Sequence, residues 1–497
     1  MFYTNVSQLG NKILHRWIDA EGKRRESFGD VEPELFVHTR KDSKYRGIEG
    51  EKLGVINFDN IREAKDFIKE HEDISNFPIY GNQNWWAQFI AQKYPNEIKW
   101  DIDKLVVANL DIECKMGQGF PEPSKANQMI TAITVEVNDT YMVFGSKEYT
   151  KKLPENVTHY HAQNEKDLLF NFLTYWEKLN PDVITGWNVE GFDIPYLINR
   201  ISNIMGDEYV DYLAPAARKV SRMAVTSREF RGDVYYTLNG VSVLDYMVMY
   251  KKFTYKMRER YSLDYIAYVE LGERKLDYSE YGNLDDLYEK DYNTYIDYNI
   301  RDTHLVMRLD NKLQLLMLVY TLTYMCKIPH KDVFSQVRMW DTLIYNKLLA
   351  DNVVVPPKSH FSKDEKYKGA VVFDPKTGLH KWVVSFDLDG LYPHLIMQYN
   401  ISPEMMVSRD TIDNPLMFNV SDLVNATVDT SFLKDANLSM TANKAFFKRD
   451  KQGFLPAMME DLYRQRKEVK KNMLKADSDI ELIKHELKKR GVEQYES

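Results

Sequence analysis

An apolar run that ends in two acids constrains this chain more than any other feature. Leu105-Val106-Val107-Ala108-Asn109-Leu110-Asp111-Ile112-Glu113 reads as a buried strand. Side chains two apart on a strand share a face, so Asp111 and Glu113 stand together while Ile112 points into the core. Two carboxylates this close resist burial unless something positive lies between them. A divalent metal ion is the simplest candidate. An exposed acidic strand end is the alternative that this pair alone leaves open.

The surrounding pattern is a mixed sheet with an interleaved helix, α/β in class. Strands are expected at 130–137 and 141–144, a helix at 167–179, and a further strand at 182–187 running into a loop. Val234-Tyr235-Tyr236-Thr237 followed by Asn239-Gly240 predicts a hairpin. Residues 287–326 read helical, 351–378 loop-like, 382–387 as a strand, and 455–487 as one long helix. Residues 1–104 mix short apolar runs with polar turns and read as a small α+β domain without a catalytic constellation.

Two further acidic groups give the first pair a context. Asn188-Val189-Glu190-Gly191-Phe192-Asp193 follows a strand and a Gly-Trp turn, and Tyr298-Asn299-Ile300-Arg301-Asp302 lies in a helical stretch. Tyr298 and Asp302, four apart, share one helix face. Hard oxygen ligands from several elements suit magnesium or manganese rather than zinc. Two such ions about 4 Å apart can activate water and stabilise a leaving oxygen in phosphodiester cleavage. The Tyr298 phenol could orient the attacking water.

These three segments, in this order and spacing, resemble the exonuclease motifs of the proofreading domain of family B DNA polymerases, the DEDDy set that excises 3′→5′ at single-stranded primer ends. The resemblance implies an RNase H-like fold, Asp111, Glu113, Asp193 and Asp302 as catalytic metal ligands, and Tyr298 as their assistant. It implies two Mg2+ (or Mn2+) ions per active site. The stretch 230–239 resembles that family's strand-separating hairpin; an ordinary surface hairpin is equally open.

The strand at 383–386 runs into Asp387-Leu388-Asp389-Gly390-Leu391-Tyr392-Pro393. An acid at a buried strand end can hold metal against a triphosphate, and the turn after it offers backbone N–H groups to phosphate oxygens. The segment resembles motif A of the same polymerases, especially those of large tailed bacteriophages. Asp387 would then be the first palm carboxylate, with the Leu388 carbonyl on metal. Gly390 and Leu391 would meet the nucleotide, and Tyr392 would be the platform under its sugar. Gly390 and His394 stand where the family usually has serine. In the long helix, Leu455, Met459, Leu462, Arg466, Val469, Met473, Ala476, Ile480, Ile483 and Leu487 alternate by four and three, a coiled-coil seam with one arginine. Arg466 and Lys470, on one face, resemble the fingers residues that grip the triphosphate.

No second palm Asp-x-Asp in the right context follows Asp387, and one carboxylate cannot hold two metals for nucleotidyl transfer. No later segment covers the apolar seam, and an uncovered stripe of that size asks for a partner. The expectation is therefore the N-terminal subunit of a split polymerase, completed by a second polypeptide carrying the rest of palm, fingers and thumb. The closing stretch 488–497 reads as a polar fingertip end. By the resemblance, its other partners are a DNA primer-template, deoxynucleoside triphosphates and a sliding clamp reached through that second chain, in the cytoplasm of an infected bacterial host. A free-standing 3′→5′ exonuclease with a structural palm remnant, and a nucleic-acid-binding regulator, are the competing readings.

Composition excludes several other classes. At 497 residues the chain should hold about three domains at ~100–200 residues each. The expected layout is an N-terminal domain at 1–104 completed by 316–358, an exonuclease domain at 105–315, a first palm segment at 359–452 and a first fingers helix at 453–497. An apolar fraction of 44% argues against disorder. Two cysteines, Cys114 and Cys326, rule out a disulfide scaffold and a multi-cysteine zinc module and fit a reducing cytosol. No signal peptide or membrane span is expected. A net charge of −8 argues against coating nucleic acid by bulk charge, but not against a local basic track.

Overall fold

A computed structural model describes residues 1–491 other than 75, 118, 225–233, 358–371, 409–420, 423, 424 and 426. The chain divides into two compact units, Met1–Gly47 with Glu51–Pro357, and Ile48–Gly50 with Lys358–Ser497.

The first unit is built on a six-stranded mixed sheet. Its order is Val157–His161, Thr140–Gly145, Ile130–Val137, Val107–Cys114, Val183–Thr185 and Ser242–Val243. Ile130–Val137 runs antiparallel to both neighbours, and the outer pairings are parallel. All but the last residue of Ile130–Val137 is buried, as a strand covered on both faces must be. The mixed α/β class read from the sequence is the class observed.

Helices cover the sheet. Glu165–Leu179 starts where the Asn164 side chain accepts from Asp167 N and stops at Asn180, in the left-handed region. Its Leu169, Phe172 and Trp176 are buried against the strands. The helical stretch around 287–326 is three helices, Leu284–Lys290, Tyr292–Leu313 and Leu315–Cys326. Asp291 caps the second, and Gln314, at φ 54°, separates it from the third.

An antiparallel sheet of Phe2–Leu9, Lys12–Ile18 and Arg24–Gly29 belongs to the same unit. Its Phe2, Tyr3 and Ile18 share a core with Leu305, Val319 and Tyr324. Fully burying one such aliphatic side chain contributes roughly 1.5–3 kcal/mol. Asp182, fully buried, joins this sheet to the central one through Arg24 at 2.6 Å and Arg16 at 3.5 Å. Strand Val353–Val354 pairs in parallel with Arg46–Gly47.

One turn expectation fails. Asn239-Gly240 does not close a hairpin on Val234–Leu238; that strand pairs antiparallel with the upstream Val220–Ala224. Asn239 instead donates to Lys219 O and Ser221 Oγ, tying it to the upstream strand, and Gly240 O accepts from Arg16. The connection between the paired strands, at 225–233, lies outside the described residues.

In the second unit a three-stranded antiparallel sheet orders Met406–Val407, Phe446–Lys448 and Leu438–Met440. The long helix is Phe454–Lys489. Its first amides are satisfied by side chains: Gly453 N donates to Asn400, Phe454 N to Glu404 and Leu455 N to Ser402. Helix Leu391–Tyr399 packs against it, with the His394 and Tyr463 rings edge to face at 4.7 Å. Further along, Val469, Met473, Ile480 and Ile483 are exposed.

A second expectation fails here. Residues 382–387 are not a strand; Trp382 and Phe386 are 98% and 92% exposed, and no described strand pairs with the run. An extended segment becomes a strand only when a neighbour satisfies its N–H and C=O groups. Parts of the expected palm segment, 359–371 and 409–420, and residues 492–497 of the expected fingertip lie outside the described residues.

Candidate active site

The strand Val107–Cys114 holds Asp111 and Glu113 on one face and buries Ile112 between them. Helix Tyr292–Leu313 packs on this strand and presents Asp302, so that carboxylate oxygens of Asp111, Glu113 and Asp302 all lie within 4.8 Å of one another. Asp193 is the first residue of helix Asp193–Met205 and stands just outside that group. Its Oδ1 accepts from Ile112 N at 3.0 Å, the amide between the two strand acids. That amide is free because the neighbouring strand stops pairing at Thr185.

The turn after Thr185 depends on Gly186. A Cβ there would lie 2.5 Å from Leu110 O. Asp245 holds the next residues, accepting from Asn188 N and Glu190 N while capping helix Tyr246–Phe253 through Met247 N and Val248 N. Two more side chains complete the site. Asn299 donates to Asp111 Oδ2 at 2.5 Å and accepts from Thr134 Oγ1. Lys275 donates to Asp302 Oδ2 at 2.5 Å and to Tyr298 Oη at 3.1 Å.

Electrostatically this is a carboxylate cluster short of positive charge. Burial first, then Asp193, Asp302 and Glu113, raise the Asp111 carboxyl well above its usual range. Glu113 is pushed up to about 8 by burial and by Asp302, and Asp193 to about 8 by burial. Burial also raises Asp302, against the opposing pull of Lys275. Burial opposes the charge on Lys275, but Asp302, Tyr298 and Asp111 outweigh it and raise the lysine. Asp302 Oδ1 is buried with no hydrogen-bond partner among the described residues. A set of hard oxygen donors with an unpartnered buried carboxylate oxygen fits a small divalent cation.

Asp245 and Lys275 lie outside the sequence motifs. Asp245 was detectable as an acid just before a helix. Asn299 lies inside a motif, yet nothing local says that it bonds Asp111. Lys275 lies between two helical patterns with no local signal.

In the second unit, Asp387, Leu388, Leu391 and Tyr392 are exposed. Gly390 caps helix Leu391–Tyr399 at φ 63°. His394 packs over it, its Nδ1 bonding Gly390 O at 2.8 Å, and a Cβ on Gly390 would meet His394 Nδ1 at 3.1 Å. The two departures from the usual serines thus form one local unit. Arg466 engages Asp389 at 3.6 Å rather than Asp387, and Tyr463 Oη donates to Asp389 at 2.6 Å. Lys470 is exposed. Among the described residues, the carboxylate cluster of Asp111, Glu113 and Asp302 has no counterpart around Asp387.

The family model described as DNA polymerase family B, exonuclease domain, matches residues 74–266, and the one described as DNA polymerase family B matches residues 334–489. The DNA-directed DNA polymerase of Escherichia phage RB69 is 36% identical over 98% of this chain and 55% of its own length. That of Enterobacteria phage T4 is 31% identical over 97% of this chain and 55% of its own. The DNA polymerase delta catalytic subunit of Candida albicans is 24% identical over 77% of this chain and 37% of its own. The chain spans about half the length of the phage relatives.

Proposed function

Because this chain belongs to DNA polymerase family B, with an exonuclease region and part of a polymerase region, we propose that it removes nucleotides from DNA 3′ ends by metal-dependent hydrolysis. We read its central sheet as RNase H-like. The observation that carries this reading is the grouping of Asp111, Glu113 and Asp302 beside Tyr298, with one buried carboxylate oxygen lacking a partner among the described residues.

In this reading Asp111, Glu113, Asp193 and Asp302 would hold Mg2+ or Mn2+, two ions per site. Bound there, the ions lower the pKa of water and stabilise the leaving oxygen. The protein's own groups do the positioning. Asn299 fixes the rotamer of Asp111, and the Ile112 amide fixes Asp193. Lys275 holds the Tyr298 phenol, which orients the attacking water. Water adds to phosphorus, the bond to the 3′ oxygen breaks, and that oxygen leaves with a proton.

The second unit contributes part of a synthesis site. Asp387 and the Leu388 carbonyl would bind metal, the Gly390 and Leu391 amides phosphate, and Tyr392 the sugar. Arg466 and Lys470 would grip the triphosphate. The exposed run at 382–386 and the bare seam at Val469, Met473, Ile480 and Ile483 support further polypeptide covering both. We propose that further polypeptide, continuous with this chain or on a second one as in a split polymerase, brings that cover together with a second palm carboxylate and the clamp contact. The test uses the purified chain, a labelled primer-template, magnesium and four deoxynucleotides. Primer shortening that is lost in Asp111→Ala, without extension, is the expected result. Extension by these residues alone would overturn the need for further polypeptide, and shortening by Asp111→Ala would overturn the nuclease assignment.

A further inference from the structure

Between helices Tyr246–Phe253 and Leu263–Leu271 the chain forms a loop held from within and bare on the outside. Arg258 turns inward, donating to Tyr250 Oη at 2.9 Å and to Glu270 Oε1 at 2.6 Å. Trp187, in the turn leading to Asp193, donates from Nε1 to Tyr261 O at 3.0 Å. The loop is therefore fastened both to its own helices and to the turn that leads to Asp193, one of the candidate metal ligands.

What it presents is unusual. Tyr255 and Met257 are 101% and 96% exposed. Residues 250–261 carry Lys251, Lys252, Lys256, Arg258 and Arg260 against the single acid Glu259. Only Arg258 of these five is paired with a carboxylate among the described residues. Lys251 and Arg260 lie instead over the Tyr261 and Tyr265 rings. In a chain whose net charge is −8, this is a local basic patch around an aromatic side chain left bare among the described residues.

We propose that this loop binds single-stranded DNA, with Tyr255 stacked on a base and Lys252, Lys256 and Arg260 against phosphates. An acidic protein surface would use the cations but leave the bare ring without a purpose. Single-stranded nucleic acid uses both, since every base has a π-face and every linkage a charge. The inference deepens the nuclease reading, on which its choice of ligand rests: a strand held here is held by a segment fastened to the Asp193 turn.

The test measures anisotropy of a labelled oligothymidylate with the full chain in EDTA, so that binding is read without cleavage. Tyr255→Ala should weaken binding about fivefold or more. K252A/K256A should weaken it too and reduce the slope of log affinity against log salt by about 1.4, at ~0.7 per phosphate contact. Both variants should melt like the parent, because the replaced side chains are exposed. Parental affinity and salt slope in both would overturn the proposal, and loss in the lysine variant alone would overturn the stacking contact. Displacement of the DNA by polyglutamate of equal charge would overturn it in favour of an acidic polypeptide. Manganese-dependent hydrolysis of the p-nitrophenyl ester of thymidine 5′-monophosphate, too small to occupy the loop, separates the two readings. If all variants cleave it, a failed loop leaves the nuclease standing; if the parent does not, the nuclease reading itself fails.

Discussion

Replacing Gly186 by alanine should damage the proposed nuclease site without touching any of its acids. The added Cβ would stand 2.5 Å from Leu110 O, whereas ordinary contact begins at 3.4 Å. Something must therefore move by about 0.9 Å, the difference of those two distances. The turn cannot swing away freely, because Gly186 O accepts from Tyr246 N and Ile184 O accepts from Leu244 N. Nor is the obstacle a flexible side chain; it is the backbone of the residue before Asp111. Overpacking of this kind costs roughly 1–3 kcal/mol. The displaced strand carries Asp111, and a misplacement of about 1 Å costs on the order of 100-fold in rate. Urea unfolding and excision of a labelled single-stranded 3′ end would measure the two effects on one preparation. A Gly186→Ala protein within about 0.5 kcal/mol of the parent and within twofold of its rate would refute the close-approach reasoning.

Other perturbations separate the roles of neighbouring groups. Asn299→Ala leaves Asp111 without its orienting donor and should reduce metal affinity or activity about 10–100-fold, read as a higher magnesium requirement in the excision assay. Lys275→Met keeps the length of the side chain but removes the charge that meets Asp302 and the donor that holds Tyr298. Excision should fall about 100-fold or more with the fold retained by circular dichroism, and parental kinetics would show the lysine to be a bystander. His330, fully buried beside Ser242 and Tyr324, has its imidazole pushed down to about 4 by burial. The unfolded chain takes up this proton near pH 6.5 and the folded chain only near pH 4, so stability contributed by the neutral ring is lost as pH falls between them. The loss is about 3 kcal/mol at ~1.4 kcal/mol per unit. Unfolding midpoints from pH 7 to 4 should decline less steeply in His330→Gln than in the parent, whatever the offset at neutral pH.

The second unit shows how propensity and structure part company. Trp382-Val383-Val384-Ser385-Phe386 has the composition of a buried strand but lies exposed, with no pairing strand among the described residues, since β structure is completed only by another strand. The long helix needs no such partner for its own hydrogen bonds, so it forms over Phe454–Lys489 while much of its seam stays bare. Asn239-Gly240 is a similar case: the dipeptide marks a turn correctly, but what the turn connects was settled by the strand at Val220–Ala224.

The sequence by itself determined whatever follows from covalent geometry along the chain. A period of two put Asp111 and Glu113 on one strand face with Ile112 beneath. A four-residue spacing put Tyr298 and Asp302 on one helix face. The order of acids, 111, 113, 193 and 302, pointed to a metal-dependent chemistry because so many carboxylates need a cation. Only the tertiary structure decided which groups meet across the chain. Asn299 reaches Asp111 from 188 residues away and Lys275 reaches Asp302 from 27, contacts that no local pattern encodes. It also decided that Asp193 spends one oxygen on the Ile112 amide and that Asp302 keeps one buried oxygen without a partner among the described residues. The reason is physical: periodicity is fixed by bond geometry within one element, whereas partners are fixed by how separate elements pack, and packing is a property of the whole core.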